Sequence, residues 1–173
     1  MNTRTNWIDT VKLSLPEHAS DLAENLSVVM TKYPDSLSEI DAHACALAAA
    51  MASGNGELAF EISMNSPLFG NNIRELVAQA VIFEAGNISH DAFLRAANDE
   101  GLTIGPSALK YMSRIKSDEQ EQFDMFCFVV TVVNAYSSGM RHHIKTLNRF
   151  SSFKLDAIAQ IAFTVASISK VVI

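Results

Sequence analysis

The sequence predicts an all-α bundle folded as one domain, and three observations lead there. Helix-start signals recur along the chain, apolar residues recur at three- and four-residue spacing, and period-2 strand patterns are absent. With 173 residues, 49% of them hydrophobic and only 18% charged, the chain can bury a sizeable core without disulfide or metal staples.

The first start signal is Ser14-Leu15-Pro16-Glu17, an S-x-x-E box with proline where a missing N–H costs little; it predicts a helix over 15–31. Ser36-Leu37-Ser38-Glu39 repeats the box before a helix over 37–53, paved with Ala44, Ala48, Ala49 and Ala52 so that neighbouring axes can approach closely. Gly54 ends it, and a short helix over 56–64 follows. Gly86 and Gly101 read as further stops, dividing the next stretch into helices over 72–85 and 90–99, with a shorter piece over 107–115. Ser117-Asp118-Glu119-Gln120 opens a long helix over 118–135 whose Phe123, Phe126, Cys127, Val130 and Val133 share one face. Helices over 139–149 and 154–171 complete the bundle. A faint internal repeat lays His43–Gln79 over Asp124–Gln160 at an offset of 81 residues. Each copy reads as a long apolar helix, a break, a short polar helix, and a helix containing Ala-Gln. Two such hairpins packed pseudo-symmetrically would bury both apolar faces.

The charge balance narrows the partners. Net charge is −6, and the nearest basic group is Arg141, Lys145 and Arg149, too few cations to neutralise a run of phosphates; no nucleic-acid partner is expected. Met1–Ser20 is polar and carries Arg4, Asp9, Lys12 and Glu17, so no secretion signal is expected there. The apolar stretch over 157–173 contains Gln160 and Lys170 and falls short of the ~20 apolar residues of a bilayer span. A cytoplasmic protein with no membrane partner is the expectation. Cys45 and Cys127 form no C-x-x-C and sit in apolar helical stretches, where buried, reduced thiols act as small hydrophobes. Glu39 and His43 share a helix face at i, i+4, but two ligands without a third read as a salt-bridged surface pair. Neither a metal nor a cofactor is expected.

One region carries a more specific pattern. Asp124 lies on the long helix twelve positions before Tyr136; Tyr136-Ser137-Ser138-Gly139 forms a four-residue slot; and His143 lies four positions beyond it. Asn134-Ala135 precedes the slot, Thr146-Leu147 follows the histidine, and Asp156-Ala157-Ile158 starts the final helix. In this spacing, and in Leu15-Pro16-Glu17-His18-Ala19 through Asn25-Leu26, the chain resembles the alkyl hydroperoxide reductase D (AhpD) and carboxymuconolactone decarboxylase family. In that family the slot is a C-x-x-C dithiol, served by an acid and a histidine that relay protons. The resemblance implies an AhpD-like helical bundle assembled as a trimer or hexamer. It also implies a role related to antioxidant peroxide defence, with a peroxiredoxin or a small molecule as partner.

The dithiol itself is missing. Tyr136 and Gly139 stand where the resemblance places sulfur, and neither supports a thiolate–disulfide cycle. By the resemblance, Asp124, His143, Tyr136 and Ser138 are the residues of a degenerate catalytic site, with Asp124 and His143 brought together by the chain reversal at 136–139. The bland readings stand beside this. His143 serves as a structural histidine, Ser137 and Ser138 as N-caps, and His142, about 100° around the helix, as an exposed residue. Three functions follow: a binding or scaffolding module on the AhpD-like fold; a non-redox acid–base enzyme using His143 and Asp124 on a small carboxylated substrate; or residual peroxidase activity through Cys127 or Cys45.

Overall fold

The computed structural model describes residues 6–105 and 115–171, and those residues are all helix, turn and loop. The helices are α1 (Trp7–Ser14), α2 (Ser20–Val29) after a 3-10 turn at Glu17–Ala19, α3 (Glu39–Ala52), α4 (Gly56–Met64), α5 (Ile73–Asp99), α6 (Gln120–Val133), α7 (Ser137–Thr146) and α8 (Ser152–Ile168). The all-α class expected from the sequence is what is found. None of these helices is long and apolar enough to cross a membrane.

Two helices form the centre. In α3 every residue from Ala42 to Ala50 is buried, and in α6 every residue from Met125 to Val132 is. A helix that is apolar on all sides must be surrounded, and α3 packs against α4, α5, α6 and α8 while α6 packs against α3, α5, α7 and α8. The small side chains of α3 allow that close approach. α6 opens and closes 81 residues after α3, and α7 opens 81 residues after α4. Asp41 and Gln122, themselves 81 apart, meet across α3 and α6, with Gln122 Nε2 donating to Asp41 Oδ1 at 2.8 Å.

Several expected boundaries move, each for a local reason. The Ser14 box opens no helix: Ser14 ends α1, an element with no counterpart among the expected helices, and its Oγ donates to Val11 O. The cap of α3 is Ser38 rather than Ser36, its Oγ accepting from Asp41 N at 3.0 Å. The stop expected at Gly86 does not occur. α5 runs through it without a left-handed turn, whereas Gly54 (φ 75°) and Gly101 (φ 72°) do take one. A glycine inside a helix costs only about 1 kcal/mol, less than α5 gains by packing along α3 and α6. The piece expected over 107–115 lies almost wholly outside the described residues.

The surface pair expected of Glu39 and His43 is not formed. His43 is buried on α3, and its Nδ1 accepts the indole N–H of Trp7 at 2.9 Å. Burial holds His43 below the ordinary imidazole range, with the nearby Glu39 charge acting against that shift. As pH falls through the ordinary value near 6.5, the unfolded chain takes up a proton that folded His43 refuses. Stability should therefore fall until the lower folded value is passed. Urea midpoints measured from pH 7.5 to 5 should drop more steeply for the native chain than for His43→Gln, which keeps an acceptor for the indole. Trp7, the sole tryptophan, reports the same event by its emission. Parallel midpoint curves for the two proteins would rule out the linkage.

Candidate functional site

α5, α6 and α7 meet at one end of the core, and each contributes one chemically able side chain. On α5 the buried stripe Ile73, Leu76, Val77, Ala80, Val81 continues at helical spacing into Glu84, so a carboxylate occupies a position that the pattern reserves for an apolar residue. On α6, Cys127 stands within the fully buried run. On α7, Gly139 and His143 are the buried residues, one turn apart, and Leu147 behind them is buried as well.

Glu84 and His143 form a buried pair, Oε2 to Nε2 at 3.3 Å, with each side chain only 4% exposed. One ligating atom from each of Glu84, Cys127 and His143 lies within 4.8 Å of the others. Cys127 Sγ also faces the Ala80 carbonyl at 3.8 Å, and its thiol is pushed far up by burial, then by the Glu84 and Asp124 charges. His143 Nδ1 is buried and makes no hydrogen bond within the described protein.

Above this trio is a cavity of about 250 Å³. Glu84 and His143 line it together with Tyr136, Gly139 and Phe83, and Asn87, Ser138 and His142 complete the lining. The wall is fixed by contacts. The Tyr136 ring lies directly on Gly139, so that a Cβ there would fall 2.8 Å from Tyr136 Cε1 and 2.6 Å from Thr131 Cγ2. Burial, followed by the neighbouring Asp91 carboxylate, pushes the Tyr136 phenol above its ordinary range. Asp91 pairs with Arg95 at 2.8 Å, and Arg95 Nη2 donates to Ser138 Oγ at 3.1 Å. The turn before this wall is closed by Ala135, left-handed at φ 51°.

Tyr136, Ser138 and His143, expected from spacing, thus gather around one cavity. Asp124 does not line it. It sits next to Phe123 on the rim of α6, half-buried, and takes a hydrogen bond from Gln120 Nε2 at 3.1 Å. Burial raises its carboxyl above the usual range, and the Gln120 bond and the charges of His143 and His142 pull it back. The carboxylate facing His143 Nε2 is that of Glu84, because α6 turns Phe123 and Cys127 inward and leaves Asp124 beside them. The serine caps are not made either: Tyr136 is the N-cap of α7, without a side-chain cap bond. His142 is exposed as expected, with its ring edge-on to His143 at 5.0 Å. Cys45 lies buried in α3, away from the cavity lining, and burial pushes its thiol far up too.

Chemically the arrangement can hold or exchange a proton between Glu84 and His143 at the base of a small, partly polar chamber. It offers no sulfur at positions 136 or 139. No model of a known protein family matches this chain, and no curated protein matches it.

Proposed function

We propose that this chain is an AhpD-like protein of the alkylhydroperoxidase and carboxymuconolactone decarboxylase type that has given up dithiol chemistry and binds a small molecule in the cavity beside His143. One observation carries the reading: a chamber of about 250 Å³ persists next to the buried Glu84–His143 pair, at the place where the family resemblance puts its reactive site. The 81-residue offset shared by α3 and α6 supports the pseudo-repeated hairpins of that fold. A cytoplasmic location fits the same reading. Peroxidase activity through Cys127 or Cys45 is disfavoured, since both thiols are buried and their ionisation is strongly opposed.

A panel of small carboxylic acids tests it. A binder at a hundredfold excess over its Kd adds about 2.7 kcal/mol, which moves the midpoint about 2–4 °C per kcal/mol in a chain of this size. The shift should disappear in Ser138→Trp, which fills the chamber from an exposed position. A panel with no binder, or a shift untouched by Ser138→Trp, would refute the reading. A second reading is favoured by the pair itself: acid–base catalysis on a small carboxylated substrate, with Glu84 in the role expected of Asp124. It predicts slow turnover of a bound acid that ceases in His143→Gln.

The same proposal includes a closed homo-oligomer, trimer or hexamer. Phe60, Ile82, Phe93, Phe153 and Phe163 are all more than half exposed, and α5 carries Ile82 and Phe93 eleven residues apart on one face. Light scattering at micromolar concentration should return a multiple of 18.9 kDa; the monomer mass would remove the oligomer from the proposal.

A further inference from the structure

Three of the commonest ligand types for first-row transition metals meet in the core on three different helices: the Glu84 carboxylate, the Cys127 thiol and the His143 imidazole. From this juxtaposition we infer that the protein binds a divalent transition-metal ion of the Zn²⁺ class through Glu84, Cys127 and His143, with the fourth coordination position opening into the cavity. The sequence pointed away from any metal, because these residues are 43 and 16 positions apart in the chain and form no ligand motif.

Distance is the first support. Glu84 Oε2 and His143 Nε2 stand 3.3 Å apart, longer than the about 2.7–2.9 Å of a charge-assisted N–H···O bond. Two donors each about 2.0–2.1 Å from a tetrahedral Zn²⁺ lie roughly 3.3–3.4 Å from one another. The thiol lies within 4.8 Å of both other ligand atoms, and its present contact with the Ala80 carbonyl is long and weak, so little holds it from turning toward the third corner.

Charge is the second. A carboxylate removed from water in a chamber with no cation from Lys or Arg in its lining is costly. A divalent ion held by one carboxylate, one thiolate and one neutral imidazole leaves the buried cluster with no net charge. Asp124, whose charge acts on Cys127 and His143, adds negative potential at its edge. Uptake replaces the S–H bond of Cys127 by an S–metal bond and releases that proton to solvent; no electron is transferred.

The open position is the third. Three protein ligands with a free site beside a cavity is the arrangement of zinc centres that bind water or substrate, rather than of closed structural ones. His143 Nδ1, buried and without a hydrogen-bond partner among the described residues, is not committed to another group when Nε2 takes the metal. The inference shares the cavity with the small-molecule reading but does not rest on it.

Cobalt tests it directly. Full-length protein stripped with chelator and titrated with Co²⁺ should develop a thiolate-to-metal charge-transfer band in the near ultraviolet and strong visible d–d bands of a four-coordinate site, saturating at one ion per chain and reversed by Zn²⁺. Cys127→Ser should abolish the charge-transfer band, while Cys45→Ser should keep it. Glu84→Gln should weaken uptake by more than about tenfold, the loss that even outer-shell changes produce at metal sites. Circular dichroism of each variant shows whether it is folded, and the native and Cys45→Ser proteins decide the matter even where a variant is not. Native protein with no charge-transfer band, or a band that survives Cys127→Ser or vanishes in Cys45→Ser, would overturn the assignment. Carboxylic-acid binding to the metal-free protein is measured separately, so either proposal can fail alone.

Discussion

His143→Leu is expected to cost the metal-free fold about 3–5 kcal/mol, because it leaves the Glu84 carboxylate buried without its partner. Glu84→Met should cost less, about 1–3 kcal/mol, since the group left behind is an imidazole that can stay neutral and forfeits only hydrogen bonding. The two side chains are each 4% exposed, so solvent does little to soften either loss. Combining the changes removes both buried polar groups and leaves two apolar side chains in their place. The double variant should recover most of the stability, since well-packed hydrophobic replacements of a buried pair are often neutral. Urea unfolding of the four proteins, each with chelator present, gives the coupling energy directly. Single variants within about 1 kcal/mol of the native chain would show that the pair behaves like a solvated surface pair. A double variant no better than the sum of the singles would show that the two groups act independently.

How much of this was legible in the sequence differs between the frame and the site. α3 and α6 are legible as long apolar runs that follow helix-start signals, and the start of α4 after Gly54 is read to the residue from local turn chemistry. α1 escapes because it is two turns long and its buried face is only Trp7, Ile8 and Val11. α5 is divided at Gly86 because a local stop signal was weighed without the packing that overrides it. At the site, Tyr136, Ser138 and His143 are close in the chain and share one turn and one helix, so spacing alone brings them together. Glu84 sits 59 residues before His143 on another helix, and no spacing rule links them. The available signal was a charge on the apolar stripe of α5. That reading depends on knowing where the stripe ends, and the expected stop at Gly86 placed Glu84 in a last turn next to a loop, where a charged side chain is expected to face solvent.

Gly139→Ala is expected to destabilise the fold by about 1–3 kcal/mol, the usual cost of overpacking, although alanine is the better helix former. The added Cβ would meet the Tyr136 ring, with Cε1 at 2.8 Å, and Thr131 Cγ2 at 2.6 Å. The two neighbours differ in how far they can give. Tyr136 is half-buried at the start of α7, while Thr131 is fully buried in α6 with its hydroxyl donating to Phe128 O at 2.7 Å. Tyr136→Ala should therefore relieve only part of the cost. The same geometry sets what placing two cysteines at positions 136 and 139 would require. Tyr136→Cys with Gly139→Cys removes the ring but still drives a Cβ into the Thr131 methyl. Adding Thr131→Ser deletes that methyl and keeps the hydroxyl. Urea midpoints under reducing conditions should rank the triple variant above the double by about 1 kcal/mol, the scale of one displaced methyl group. A Gly139→Ala protein as stable as the native chain, or a double variant as stable as the triple, would mean that the helices yield at this contact and that glycine is not needed there.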